Sequence, residues 1–206
     1  MNKNRLEALS DGVFSIVMTI LIFDVKIPTL AVVDDAHFTA ALVPLAPLLA
    51  SYFVSFTVLA MFWVSHNYFY GSFTLIINRQ LVLLNMLYLS LIALIPFSAR
   101  LVGEYASLKG TVIIYGINVL LIGIVASTVL HYAIRSDEID ISHVSSRLLK
   151  QARIRSLLTP VFTFFGIVAA AMNGLPLALF LFAFPIVFNM VPGTLDFTER
   201  LLRTEI

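Results

Sequence analysis

Long uncharged stretches alternate with short charged segments along this chain. A helix needs about 20 apolar residues to cross the hydrocarbon core of a bilayer, and several of these stretches reach that length. Two fit one helix each, and Gly116 and Gly123, seven apart in one of them, indicate a close helix–helix contact. The uncharged stretches cover residues 36–78, 80–99, 110–134 and 156–195, with a shorter one between Asp11 and Asp24.

The two longest stretches exceed what one span needs. In 156–195, Asn173-Gly174 followed by Pro176 is a strong turn signal, which predicts a helical hairpin. In 36–78 the helix breakers lie near the ends, which favours one long, tilted helix. Together with the N-terminal segment, the chain is predicted to form six helices, at approximately 5–27, 43–70, 80–102, 110–134, 152–172 and 176–197.

Composition supports a membrane protein and excludes several other classes. The chain is 60% hydrophobic and 12% charged, with a mean hydropathy of +0.97, well outside the range of soluble domains. We therefore predict an all-α integral membrane fold, with residues 1–206 forming one domain. A net charge of +1 gives no basic field for nucleic acid, no cysteine is available as a thiolate ligand, and no enzyme motif is visible. Neither a cofactor, a metal nor an enzymatic activity is expected.

Lys and Arg residues set the predicted orientation. With six spans both termini share one side of the membrane, and ten of the 13 Lys and Arg residues lie there. Because positively charged loops remain in the cytoplasm, we predict a multi-pass protein of the cell membrane with both termini cytoplasmic. The basic segment 145–155 is expected to contact lipid headgroups.

The first helix has an unusual charge pattern. Only 12 uncharged residues separate Asp11 from Asp24, so a spanning helix must carry Asp11 toward membrane depth. Ionisable groups there are costly and usually face protein or water, which places this helix centrally in the bundle. Asp24, at its outer end, could either concentrate cations at a pore mouth or be an ordinary helix-end acid.

An apolar stripe runs along the same helix. At 100° per residue, Ile16, Ile20 and Phe23 fall on one narrow face, and Thr19 lies at its margin. Such a stripe is compatible with helix packing and with the lining of a pore.

The second helix carries Trp63 and His66 near its inner end. An imidazole within an apolar span needs a partner, and Arg5, Ser10 and Asp11 are predicted at the same depth. These residues could form a network that locks the first two helices together, or His66 could sense or relay protons. The other polar residues expected to make interhelical hydrogen bonds are Asn85 and Asn118.

Together these residues resemble the bacterial single-repeat branch of the lysosomal potassium channel family. Its RxxxFSD motif is matched at the start of the first helix, except that Leu9 replaces Phe. Asn67 stands where many members have a second histidine. The matching residues are Arg5, Ser10 and Asp11, then Trp63 and His66, then Asn85 and the run Pro96-Phe97-Ser98.

The resemblance implies a homotetramer in which the first helices line a pathway for potassium ions across the lipid bilayer. Its pore layers correspond to Ile16, Thr19, Ile20 and Phe23. Without a carbonyl filter of the TVGYG kind, we expect a hydrophobic gate and modest potassium selectivity from Thr19. A proton-coupled secondary transporter and a non-conducting membrane scaffold remain the alternatives.

Overall fold

The computed structural model describes residues 2–26, 29, 32, 34–73, 77–139, 141 and 144–190. Over these residues the chain forms α-helices joined by short turns, with no strand. A 3₁₀ turn, Leu21–Asp24, extends the first helix, and another, Val43–Leu45, joins the second to the third. The helices are α1 (Lys3–Ile20), α2 (Asp35–Leu42), α3 (Ala46–Phe73), α4 (Arg79–Ile92), α5 (Ile95–Glu104), α6 (Lys109–Arg135), α7 (Ser146–Ala171) and α8 (Leu175–Met190).

The described helices have the lengths and apolar character of a multi-pass membrane protein. Five segments are long and apolar enough to cross a bilayer, and a shorter apolar helix, Leu175–Pro185, follows them. The predicted all-α membrane fold is confirmed. Ile27 and the predicted final part of the sixth helix, 191–197, lie outside the described residues. The five long segments are Lys3–Asp24, Asp35–Gly71, Arg79–Glu104, Lys109–Arg135 and Ser146–Ala171.

The third span is divided, whereas the sequence predicted one helix over 80–102. Pro96 has no N–H to bond the carbonyl of Ile92, which weakens the helix at this point. The helix α4 ends at Ile92, and α5 begins at Ile95. Asn118 of α6 lies at the break, 3.2 Å from Ser98 Oγ. With its amide turned to satisfy its neighbours, Asn118 also donates to the Leu91 carbonyl at 3.1 Å. A side chain of α6 therefore supplies polar contacts where the helix is interrupted.

The turn between α7 and α8 lies at the predicted Asn173-Gly174 position. Asn173 adopts a left-handed conformation with φ of 64°. The N–H of Gly174 donates to the Ala169 carbonyl at 2.8 Å, and the N–H of Asn173 donates to that of Ala170 at 3.1 Å. This pair of bonds satisfies the last carbonyls of α7 and reverses the chain, so α8 packs antiparallel to α7.

Phe182 of α8 packs into a notch formed by two glycines. A Cβ atom at Gly116 of α6 would lie 2.6 Å from Phe182 Cζ, and one at Gly166 of α7 would overlap Phe182 Cε1. The ring is 5% exposed. Because neither glycine has a side chain, α6, α7 and α8 approach one another closely enough to bury this ring.

Candidate pore helix and its anchoring network

One face of α1 packs against the rest of the chain. Its buried residues are Leu6, Ser10, Phe14, Val17 and, in the following 3₁₀ turn, Leu21. Their spacing of three or four residues is that of a single helix face. This face fixes α1 against the neighbouring helices and determines which side chains point away from them.

The opposite face of α1 carries the predicted pore stripe. Ile16 is 59% exposed, Ile20 43% and Phe23 75%, and Thr19 is also exposed. The chain therefore leaves all four side chains uncovered and available to lipid, to water or to another copy of itself. Since this stripe combines three large apolar side chains with one hydroxyl, it can form an apolar lining with a single polar layer.

The hydroxyl of Thr19 bonds within its own helix. Its Oγ1 lies 2.9 Å from the carbonyl oxygens of both Ser15 and Ile16. A hydroxyl has one proton to donate and two lone pairs with which to accept. Because the proton is directed at the backbone, the lone pairs of Thr19 remain available to a cation on the exposed side.

Asp24 is held by Arg100, a contact that was not predicted from the sequence. The Asp24 carboxylate accepts from Arg100 Nη1 at 3.4 Å, and Arg100 Nε donates to Glu104 at 2.9 Å. These three side chains carry one net negative charge and tie the C-terminal end of the first span to α5. The geometry gives Asp24 an anchoring contact in addition to its predicted place at a pore mouth.

In the N-terminal half of the first span, Asp11 contacts the indole of Trp63. Trp63 Nε1 donates to the Asp11 carboxylate at 2.9 Å. A hydrogen bond to a charged group is stronger than one between neutral groups, and this one joins α1 to α3. Arg5 lies exposed in the first turns of α1, and no hydrogen bond or ion pair joins its side chain to another residue that the structure describes.

Beside this contact, Ser10, Asn85 and His66 form a buried polar chain. The Ser10 hydroxyl donates to the Leu6 carbonyl at 2.9 Å and accepts from Asn85 Nδ2 at 3.1 Å. Asn85 Oδ1 lies 2.8 Å from His66 Nε2. An amide oxygen only accepts, so Nε2 carries the proton in this arrangement. The chain links α1, α4 and α3 at one depth.

His66 thus has a different neighbour from those expected. Its partners were predicted to be Arg5, Ser10 or Asp11, but the ring bonds Asn85, and Asn85 in turn bonds Ser10. Comparing the depth of polar residues in neighbouring antiparallel helices would have suggested Asn85 as a partner. His66 lies seven residues before the end of α3, and Asn85 lies six after the start of α4, so the antiparallel helices bring them level.

Aromatic rings enclose the imidazole of His66. It stacks on Tyr88 with ring centroids 5.6 Å apart and planes 16° apart. Tyr70 and Phe14 lie 4.6 and 5.9 Å from it, centroid to centroid. This enclosure restricts the ring to the orientation that bonds Asn85.

Replacing Asp11 with alanine should lower stability by about 1.5–3 kcal/mol, because the bond from Trp63 to a charged acceptor is lost. Thermal unfolding in detergent, followed together with oligomer size, measures the effect. Asp11→Asn keeps an oxygen acceptor for the indole and should lie closer to the parent protein. An unchanged unfolding temperature for Asp11→Ala would show that this contact does not anchor α1.

Sequence comparisons connect the first half of this chain to a known family. Residues 5–96 match the family described as endosomal/lysosomal potassium channel TMEM175. The chain is 38% identical over 106 residues to a potassium channel of Streptomyces collinus, covering 51% of this chain and 50% of that protein. It is 29% identical over 134 residues to a potassium channel of a Chryseobacterium strain, covering 65% and 66%. The aligned region thus spans half to two thirds of these relatives.

Structural comparison extends the likeness to most of the fold. The crystal structure of a lysosomal potassium-selective channel TMEM175 homolog from Chamaesiphon minutus superposes with a TM-score of 0.78. The superposition covers 91% of this chain and 96% of the other at 23% identity, which establishes a shared fold. The family match over residues 5–96 includes α1 from Arg5 onward, and also Trp63, His66 and Asn85. The first half of this chain is therefore similar in sequence to the TMEM175 family, and most of the chain shares the fold of the Chamaesiphon minutus homolog.

Proposed function

We propose that this chain is the subunit of a potassium-selective cation channel in which α1 from each of four copies lines a central pathway. One observation carries the proposal: α1 is anchored along one face and leaves Ile16, Ile20 and Phe23 uncovered on the other. The potassium channels named among its relatives support the same function. Both termini of each copy lie in the cytoplasm.

The gate is the apolar ring formed by Ile16. Large apolar side chains that meet on an axis leave a neck too dry for an ion, and such a constriction gates by dewetting. Ile20 and Phe23 extend the apolar lining toward the outer end. Opening requires the copies of α1 to separate or rotate until water enters the neck. The anchored face supplies the frame against which this movement takes place.

Thr19 supplies the polar layer of the pathway. Its lone pairs replace part of the hydration shell of an ion that has entered the neck. Potassium loses water at a lower cost than sodium, so a partial replacement favours potassium. A ring of hydroxyls replaces fewer water contacts than stacked carbonyls do, and the selectivity is therefore modest.

Current from purified protein tests the proposal. The protein is reconstituted into a planar bilayer with potassium on one side and sodium on the other. Discrete single-channel openings, with a reversal potential shifted toward the potassium equilibrium potential, support a potassium-selective channel. Saturating flux that stays coupled to a pH gradient would identify a carrier instead. Complete absence of ion flux from a correctly folded oligomer would identify a scaffold.

Thr19→Ala should reduce the potassium preference, because the only polar layer of the stripe is removed. The expected change in the permeability ratio is about two- to fivefold, equivalent to about 0.4–1 kcal/mol. Bi-ionic reversal potentials measure it. Thr128→Ala is the matched control, since the Thr128 hydroxyl is also exposed and also bonds its own helix, donating to the Ile124 carbonyl at 2.8 Å. An unaltered reversal potential for Thr19→Ala removes Thr19 from selectivity.

A further inference from the structure

An open groove runs along the surface between α6 and α7. Its volume is about 510 Å³. We call it the α6–α7 groove. Apolar side chains form most of its walls, whereas two basic side chains lie at the end of α6. The residues that define it here are Leu120, Ile124, His131 and Arg135 of α6 and Leu157 and Val161 of α7.

At Pro160, one of the residues that line the groove, α6 and α7 make a close contact. A Cβ atom at Gly123 would lie 3.0 Å from Pro160 Cδ, so the two helices nearly touch. Pro160 has no N–H for the Ser156 carbonyl one turn earlier. The Ser127 hydroxyl donates to that carbonyl at 2.6 Å instead. The Ser156 carbonyl is therefore hydrogen-bonded despite Pro160, and this bond joins α6 to α7 beside the groove.

The length of the groove matches one leaflet of a bilayer. From Leu120 to His131 is eleven residues of α6, or about 16 Å at 1.5 Å per residue. Half of a hydrocarbon core about 30 Å thick is about 15 Å. Since α6 ends at Arg135 on the side where α1 begins, the groove extends from that interface to mid-membrane.

The basic end of the groove is arranged to receive an anion. Arg135 is the last residue of α6 and is exposed. His131 Nδ1 donates to the Ser127 carbonyl at 2.8 Å, which fixes this ring against α6 one turn before Arg135. No acidic side chain is among the described residues that line the groove. Glu138, just beyond α6, accepts from Asn78 at 2.6 Å.

We propose that the α6–α7 groove binds an anionic phospholipid of the cytoplasmic leaflet. Its phosphate accepts hydrogen bonds from the Arg135 guanidinium, and one acyl chain lies along the apolar walls to mid-membrane. Cytoplasmic leaflets carry the anionic lipids that basic residues near the interface attract. A second copy of this chain is a poorer occupant, because a helix packed here would bury Arg135 without a counter-charge.

Native mass spectrometry of the full-length protein tests this assignment. The protein is held in detergent micelles that contain equal amounts of phosphatidylglycerol, the anionic probe, and phosphatidylcholine, the neutral one. We expect about one phosphatidylglycerol to be retained per subunit, with a preference of about fivefold or more over phosphatidylcholine. Arg135→Gln should abolish that preference.

Two further variants separate the charge from the groove. Arg153→Gln removes an equal charge from an exposed position of α7 outside the groove and should retain the preference. Leu157→Trp places a large ring at an exposed groove position and should lower retention of phosphatidylglycerol at least about fivefold while Arg135 is intact.

Three results would overturn the proposal. Equal retention of the two lipids by the parent protein would indicate nonspecific lipid contact. An undiminished preference in Arg135→Gln would place the anionic lipid elsewhere. Retention of neither lipid by the intact oligomer would indicate that a second copy covers the groove.

Discussion

Ile16→Asn should raise cation flux through the reconstituted protein by about tenfold or more. An amide side chain at the narrowest apolar layer keeps water in the neck, so an ion no longer has to cross a dry segment. Each 1.36 kcal/mol removed from the barrier corresponds to about a tenfold increase in rate. Because Ile16 is exposed on α1, the substitution leaves no cavity in the subunit core. Potassium flux into liposomes at equal protein density measures the effect.

Two control variants separate gating from general disturbance of α1. Ile16→Val keeps the layer apolar and should leave the closed state in place. Ile22→Asn makes the same polar change at another exposed isoleucine of the first span, at a position in the 3₁₀ turn that is not part of the stripe. Its flux should stay near that of the parent protein. Unchanged or lower flux for Ile16→Asn in an intact oligomer would show that Ile16 is not the gate.

Gly166→Ala should destabilise the bundle by about 1–3 kcal/mol, the usual range for overpacking a dense core. The added methyl would overlap Phe182 Cε1 and lie 3.2 Å from the Ala178 carbonyl oxygen. The ring cannot easily shift along α6, because Gly116 packs against the adjacent Cζ atom. Thermal unfolding in detergent should show the loss as a lower midpoint.

The same substitution elsewhere provides the control. A Cβ atom at Gly110, in the first turn of α6, meets no atom within 4 Å. Gly110→Ala should therefore be neutral or slightly stabilising, since alanine favours helix over glycine. Adding Phe182→Leu to Gly166→Ala should recover part of the loss by removing the overlapping ring atoms. Equal midpoints for Gly166→Ala and the parent would show that the α7–α8 contact is looser than described.

Hydrophobic runs and turn chemistry account for most of the fold that could be predicted. A bilayer sets the length of a span, so uncharged runs reveal spans without any knowledge of packing. The turn at Asn173-Gly174 was also predictable, because asparagine readily adopts the left-handed conformation that Asn173 has here. The break before Pro96 was missed because Asn118, 22 residues later, provides the polar contacts that tolerate it.

The candidate site was predictable along one helix and much less so between helices. Helical periodicity alone places Ile16, Ile20 and Phe23 on one face. Partners across helices depend on the rotation of each helix and on its depth, and neither is written in its own sequence. His66 with Asn85 and Asp24 with Arg100 are both of this kind. Matching residues by depth would have suggested these pairs among several candidates, but would not have selected them over neighbouring residues.

The polar contacts of the first span lie at its two ends. Ser10 and Asp11 are bonded at one end and Asp24 at the other, while Phe14 and Val17 between them are held only by apolar packing. Hydrogen bonds specify direction, whereas apolar contact does not. The two ends therefore set how deep the helix lies in the membrane. Between those ends, in the stretch that carries Ile16, the buried side chains that hold α1 against its neighbours are apolar.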